Sequence, residues 1–331
     1  MASRPLDDST VTTLVAEATT APSMHNAQPW KFRYRSAEHL VLLRADPERA
    51  MPHSDPDNRA LHIGCGAALF NLRVGAAYAD LVTETTLLPE PGDPLLLAAV
   101  RLSAPLPHSP ADVELARLHP AVRERHTSRH PFSDEDIPDD VRNTLRDAAA
   151  QEGAELLFPG PWHTESLLDL IRDAESRDAL DPGAAEDVLR WTRLGAEADT
   201  AVDGIPDYAF GPRKEDGRAP VRDFAGRRTV AGRGTTAFED RPHLALLSTR
   251  GDGPADWLRA GQALERVLLE ATLAGLATSL TSHALEEPAL RPLARDPAEG
   301  VGQVHMVLRL GYGPPGPATP RRPVREVLEI V

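Results

Sequence analysis

Cysteine is almost missing from this chain of 331 residues: there is one, Cys65. A lone thiol makes no internal disulfide and builds no thiolate metal site. It lies between Gly64 and Gly66 in an apolar segment, which points to a small core residue and to a reducing cytoplasm. Positive charge is in deficit too, since 36 Lys and Arg face 50 Asp and Glu for a formal net charge of -14. Such a chain is a poor non-specific binder of nucleic acid or of an anionic membrane. No apolar run approaches the ~20 residues that a membrane span needs. Residues Met1 to Asp8 are polar and acidic, unlike a secretory leader. The 12 histidines are scattered, with no HExxH and no close His/carboxylate cluster, so no metal is expected. Residues 231–236, AGRGTT, lack the third glycine of a dinucleotide fingerprint, and no GxSxG elbow supports a hydrolase.

What remains is a globular chain, 41% hydrophobic and long enough for two domains or one large α/β unit. Val11, Leu14, Val15 and Ala18 fall at helical spacing, and Ser9 or Thr10 can cap a helix over 9–20 that Pro22 ends. Residues 30–34 alternate large and polar side chains, and 39–43 read as their hairpin partner. A long apolar helix is expected over 58–80 and a strand over 97–102. Residues 103–120 are rich in Pro and polar side chains, as a linker is, with a short helix at 111–118. Further helices are expected at 139–152 and 164–179, a strand at 244–248, a strong helix at 256–276 and a last strand at 305–310. Between them, residues 199–240 are dense in Gly, Pro and charge and show no period.

The two long helices align when one is shifted by 195 positions: Gly66 falls on Gly261, Ala68 on Ala263, Leu69 on Leu264 and Ala76 on Ala271. Any two Ala/Leu helices align at some offset, but here the order of flanking elements repeats as well. Two such halves in one chain would mimic a homodimer.

Three segments carry candidate chemistry. In APSMHNAQPWKF, residues 21–32, Ser23 and Asn26 follow a helix break and can hydrogen-bond a planar polar ligand; taken alone, the segment reads first as a capped loop ending in a buried Trp. In RHTSR, residues 125–129, two guanidinium groups and two hydroxyls suit phosphate or carbonyl oxygens, or form a solvated turn beside the acidic run 134–136. PRRPV, residues 320–324, reads alone as a basic tail.

Together these motifs, with GLAT at 275–278 and LGYG at 310–313, resemble the FMN-dependent nitroreductases. Their order, with QPW in the first half and RHTSR in the second, is similar to the Acg-type branch. The resemblance runs from about Val11 to Leu328. It implies an α+β fold, a nitroreductase-like unit duplicated within one chain, with helix-flanked, mainly antiparallel sheets about a pseudo-twofold. The first half would be 1–105 and the second 106–331; the length of 199–240, its Gly and Pro and its isolated aromatics Tyr208, Phe210 and Phe224 suit a lid over the flavin or a plain surface insertion. It also implies hydride transfer from NADH or NADPH through FMN to a small organic acceptor; a flavin-sequestering protein is the alternative. Carried over residue by residue, Arg125, His126, Thr127, Arg129, Arg321 and Arg322 would hold the ribityl phosphate and ring edge. Pro22, Ser23, Met24, Asn26 and Gln28 would cover the ring, and Thr281, Ser282 and His283 would donate to it. No side chain is expected to act as a dedicated acid or base. Because the PSMHN loop and the Arg segment each occur once, one FMN per chain is expected, and a monomeric pseudo-dimer would suffice. The family's late Lys-x-Arg reads Pro320 and Arg322 here, a Glu-Gly pair reads Ser282 and His283, and one residue is added before Phe132.

Overall fold

The computed structural model describes residues 6–104, 109–226, 228–297 and 302–331. The first half opens with helix α1 (Asp8–Ala18), then the hairpin β1 (Trp30–Arg35) and β2 (Leu40–Ala45), helix α2 (Arg59–Tyr78) and the strands β3 (Val82–Leu87) and β4 (Leu96–Ser103). In β1, WKFRYR alternates buried Trp30, Phe32 and Tyr34 with outward Lys31, Arg33 and Arg35, so this sheet has one wet face. α1 is capped by Asp7, whose carboxylate accepts from Thr10 N, in place of the expected Ser9 or Thr10. An anion at that position answers both the free N–H groups and the helix dipole.

Residues 103–120, expected as a linker, carry helices α3 (Pro110–Arg117) and α4 (His119–Glu124). Leu115, Leu118, Ala121 and Val122 pack on Phe70, Val74 and Leu269, which gives this connection a core of its own. The boundary drawn at 105 lies outside the described residues. The second half then runs α5 (Asp139–Gln151), β5 (Glu155–Leu157), α6 (Pro161–Asp178), α7 (Pro182–Arg190), β6 (Thr192–Arg193), α8 (Ala196–Thr200), β7 (Ile205–Pro206), β8 (Arg213–Asp216), β9 (Thr235–Ala237), β10 (His243–Thr249), α9 (Pro254–Leu273), β11 (Ala277–Thr281), α10 (His283–Glu286), β12 (Gln303–Gly311), α11 (Val324–Val327) and β13 (Leu328–Ile330).

The first sheet has the order β13-β1-β2-β4-β3 and the second β11-β12-β10-β5. Read from β5, the second repeats the first strand for strand: β5 stands for β1, β10 for β2, β12 for β4 and β11 for β3. α5 stands for α1 and α9 for α2, so the topology is duplicated. The tight turn between β1 and β2 is replaced in the second half by everything from α6 to β9. α6 covers the outer face of the second sheet with Leu167, Leu168 and Ile171 against Leu244, Leu246 and Val307. That is why β10 is buried nearly throughout, while β1 alternates. The C-terminal β13 returns to the first half and pairs in parallel with β1, Phe32 against Leu328 and Tyr34 against Ile330. Neither β3 nor β13 is among the strands expected from sequence: β3 is a Thr-rich edge strand with little burial, and β13 spans three residues.

The halves meet where α2 crosses α9. A Cβ on Gly66 would lie 2.3 Å from the carbonyl oxygen of Leu258, and one on Gly261 would lie 2.1 Å from that of Ile63. Ile63 and Leu258 are themselves related by the 195-residue shift, so the contact is reciprocal, as a twofold requires. Their side chains also trade places: Leu258 of α9 packs in the core of the first half, and Ile63 of α2 in that of the second. α2 corrects one expectation. At 20 residues it is long and apolar enough to cross a membrane, yet most of it is buried within the chain. Here it is the central core helix, buried nearly all round. Cys65 lies on it, fully buried, with Sγ 3.3 Å from the Pro29 carbonyl, and burial pushes its thiol pKa up.

A side chain at either crossing glycine must push the helices apart. Overpacking of this kind costs about 1–3 kcal/mol. Gly66→Ala and Gly261→Ala are each expected to lower the urea midpoint accordingly. Gly92→Ala, which meets nothing within 4 Å, should stay within about 0.5 kcal/mol of the parent. Equal midpoints for all three variants would refute this account of the crossing.

Candidate functional site

Between the halves lies a cavity with an empty volume of about 1100 Å³, open solvent at its mouth included. Its walls come from both halves and from the segment that replaces the β-turn. The loop after α1 supplies Pro22, Ser23, Met24, His25 and Asn26, and the first turns of α2 supply Arg59, Ile63 and Gly64. From the second half come Arg125, His126, Thr127 and Arg129, then Ser279 and Ser282 near β11, and Thr319 and Arg321 of the tail. Residues 199–240 add Ile205, Arg222 and Phe224.

The loop 22–28 is built under strain. His25, Asn26 and Gln28 all have positive φ, at 48°, 55° and 53°, a region that non-glycine residues rarely adopt. Side-chain bonds hold it. Ser23 Oγ accepts from Gln28 N at 2.9 Å. Asn26 Nδ2 donates to the carbonyls of Gly204 and Pro320, and Asn26 Oδ1 accepts from Arg321 Nη1 at 3.0 Å. Gln28 Nε2 donates to the Val202 carbonyl, while its Oε1 accepts from Arg322 N. Asn26 and Gln28 thus tie the loop to the inserted segment and to the tail. The segment 125–129 is pinned from the other side: Ser128 N donates to the Thr278 carbonyl at 2.8 Å and Ser128 Oγ to that of Pro314. Gly316 permits this approach, since a Cβ there would lie 2.0 Å from the Thr127 carbonyl oxygen.

Five guanidinium groups line the cavity, those of Arg59, Arg125, Arg129, Arg222 and Arg321, and no carboxylate is among the described lining residues. In a chain of net charge -14, this is a local inversion of sign. Arg125 Nη2 and Arg321 Nη2 both donate to the Thr20 carbonyl, at 2.7 and 2.8 Å. Behind Arg125 stands the fully buried Glu265, 3.3 Å from its Nε; burial raises the Glu265 pKa, and Arg125 opposes the rise. Burial, with Arg125 as neighbour, brings Arg321 down to about 9. Burial and Arg222 bring Arg129 down to about 10, and burial and Arg291 do the same for Arg59. Arg129 donates to the Ala209 carbonyl and sits 4.9 Å over the ring of Phe224. Nε of Arg321 and Nδ1 of His25 are buried and meet no hydrogen-bond partner among the described residues. The cavity is therefore rich in donors and positive charge, and short of acceptors.

Of the residues singled out from sequence, Pro22, Ser23, Met24, Asn26, Arg125, His126, Thr127, Arg129, Ser282 and Arg321 line this cavity. Four do not, and each corrects the expectation. Gln28 is wholly buried and spent on the backbone bonds above. Thr281 is buried in β11, its Oγ1 3.4 Å from the Pro220 carbonyl. His283 opens α10 and faces a neighbouring chamber. Arg322 points away: Nη1 lies 3.6 Å from Asp46 Oδ2 and Nη2 donates to the Glu326 carbonyl. Adjacent in sequence, the two part company: Arg321 enters the cavity and Arg322 braces the first half. Sequence reading missed His25, although it lies inside the motif, and also Arg59 and Arg222. Arg222 sits in a stretch without periodicity, where no local signal marks it. Of the aromatics in that stretch, Phe224 reaches the cavity, Phe210 is buried beside it, and Tyr208 is half exposed with its hydroxyl bonded to the Ala318 carbonyl.

No family model matches this chain. Among curated proteins it is 33% identical over 346 residues to the Mycobacterium tuberculosis H37Rv protein named "Putative NAD(P)H nitroreductase acg", covering 98% of each. A second protein of that strain, with a name of the same kind, is 31% identical over 328 residues, covering 98% of this chain and 92% of the relative. Among solved structures, a nitroreductase-like chain from Anabaena variabilis superposes with a TM-score of 0.50 at 12% identity, over 92% of this chain and 88% of that one, and so shares the fold. With a third of its residues shared along the full length of the Mycobacterium tuberculosis relative, this chain belongs to the Acg-type NAD(P)H nitroreductase family.

Proposed function

We propose that this chain is an FMN-dependent oxidoreductase that takes hydride from NADH or NADPH and delivers it to a small organic acceptor. The observation that carries this reading is the sign inversion: one cavity between the halves, lined by five guanidinium groups and unpartnered donors, in an acidic protein. A phosphate and the carbonyl and nitrogen acceptors of a flavin ring suit that donor set. When bound, FMN supplies two-electron chemistry at N5 of its ring. Arg125 and Arg321 would hold the phosphate, with Thr127 and His126 beside them. Pro22, Ser23 and Met24 would cover the ring and exclude water. Arg129 and Ser282 would donate to the ring edge, where negative charge develops on reduction. Nothing in this scheme needs a side chain to serve as acid or base.

The duplicated fold supports one such site per chain. The α1–β1 connection carries the whole PSMHN loop, whereas its counterpart between α5 and β5 is the turn Glu152–Gly153–Ala154. We take 1–105 and 106–331 as the two halves, with 199–240 closing the third side of the cavity.

Removing one partner of a desolvated charge pair costs on the order of 2–5 kcal/mol. Arg321→Ala should therefore weaken FMN binding by at least ~30-fold in a fluorescence titration. Arg322→Ala, which leaves the cavity intact, should change affinity less than about threefold while lowering the melting temperature, since the Gln28 and Glu326 carbonyls lose their guanidinium donor and Asp46 keeps Lys31 and Arg49 but loses a third cation. The reverse ranking would sink the assignment.

Flavin released by heating should amount to one FMN per chain at saturation; two would refute the single composite site. Under anaerobic stopped flow, NADH or NADPH should bleach the holoprotein, and a quinone should restore its colour. A yellow protein inert to both nicotinamides would overturn the oxidoreductase reading and leave a flavin-holding protein.

A further inference from the structure

Three parts of the chain converge on Arg222. Its Nη1 lies 2.7 Å from His25 Nε2 in the first half, and its Nε lies 2.7 Å from His283 Nε2 in the second. Its Nη2 donates to Glu286 Oε1 at 2.6 Å, an oxygen that also accepts from Ser282 Oγ. A guanidinium donates and never accepts. Both Nε2 atoms must therefore be acceptors, and each neutral imidazole carries its proton on Nδ1. His25 Nδ1 and His283 Nδ1 are buried, and neither meets an acceptor among the described residues. A buried N–H left without an acceptor is unfavourable, and a ligand oxygen relieves it.

Of the two, His25 lines the cavity. It is 6% exposed, held at φ 48°, and Phe224 meets its ring edge-on with centroids 5.3 Å apart. The ring has little freedom to turn its donor elsewhere.

We propose that His25 offers its Nδ1–H to an electron-rich oxygen of the small molecule taken up in this cavity, and that Arg222 is the positioning residue that locks it in this tautomer. The oxygen belongs to a carbonyl, nitro or carboxylate group. The reading rests on the flavin proposal for the neighbour of that molecule, and not for the tautomer itself. The charged groups facing His25 are Arg222 and Arg129; with burial they hold its pKa well below that of a free histidine. His283 faces Arg222 and His25, and burial acts on it in the same direction. Behind Arg222 stand Glu286, at 2.6 Å, which carries the balance of its charge, and, at 3.7 Å, Asp178, whose carboxyl burial and Glu286 push up to about 7. His25 thus stays neutral at ordinary pH. It polarises an oxygen as a hydrogen-bond donor and transfers no proton.

The test uses holoprotein labelled with ¹⁵N-histidine and long-range ¹H–¹⁵N correlation spectra, with the two histidines assigned by loss of signal in His25→Gln and His283→Gln. In the parent, both rings should show the Nδ1–H tautomer and no titration between pH 6 and 8. In Arg222→Met, the Nε2–H form should appear and the rings should begin to titrate nearer to pH 6.5. An Nε2–H tautomer in the parent, or no change in Arg222→Met, overturns the lock. Benzoate, which is planar and not reducible here, probes the donor. Its binding should move the His25 Nδ1–H signal, and its dissociation constant should rise about tenfold in His25→Leu. Failure to bind, an unmoved signal or equal affinity in the variant overturns the donor role. A holoprotein that no nicotinamide reduces would sink the oxidoreductase reading, while these spectra and titrations would still decide this one.

Discussion

The contact between Gly66 and Gly261 is the constraint on which the remainder of the structure rests. Two helices can come this close only where neither carries a Cβ at the crossing, as the approach of each glycine to the other helix's carbonyl shows. Close approach lets Ile63 and Leu258 reach across into the opposite cores, so neither half has a finished core alone. It also sets the first turns of α2 beside Leu264 of α9, and both line the same cavity. Spread the helices and the cavity loses its floor together with its symmetry.

Electrostatics impose the second condition. Burying guanidinium groups without carboxylates is costly, and around the cavity Glu265 stands behind Arg125 and Glu286 against Arg222, both outside its lining. Burial presses the cations toward lower pKa, to about 9 at Arg321 and about 10 at Arg129 and Arg59. The protein tolerates this arrangement through backbone carbonyls: Thr20 receives two arginines, and Ala209, Leu285 and His305 receive others. Carbonyl dipoles offset part of a positive charge and leave the balance to a ligand anion. The strained loop 22–28 has its place in the same economy, because its own side chains hold the carbonyl-rich corner in shape.

How much of this was legible in the sequence depends on whether a residue's role is local. The long helices, the β1–β2 hairpin and the α5 helix announce themselves by periodicity, and the repeat was visible as Gly66 over Gly261. The motifs at 22–26 and 125–129 pointed to the cavity. That the two glycines touch could not be read, because a repeat says nothing of where its copies meet. Arg321 and Arg322 are indistinguishable in the sequence, and only their partners, Asn26 for the one and Asp46 for the other, separate them. β3, a Thr-rich edge strand, and the three-residue β13 are held by neighbours more than by their own pattern. Arg222 was beyond reach: its three partners are far away in sequence, and its own segment has no period.

The pairing of β13 with β1 has a consequence for the order in which the protein is made. Gln28 and Arg322, which bond at 2.9 Å, are separated by 294 positions. At about 5–20 residues per second, roughly 15 to 60 seconds of synthesis divide them. Throughout that interval the outer edge of β1 is open, a template for any extended chain nearby. The solvent-facing residues of β1 are Lys31, Arg33 and Arg35, and in the finished fold Arg33 pairs with Glu329 of the arriving strand at 2.7 Å. The basic stripe thus serves two periods of the molecule's life. While the nascent sheet waits, like charges repel a second copy of the same edge; when β13 emerges, its glutamate is the complement that the edge accepts.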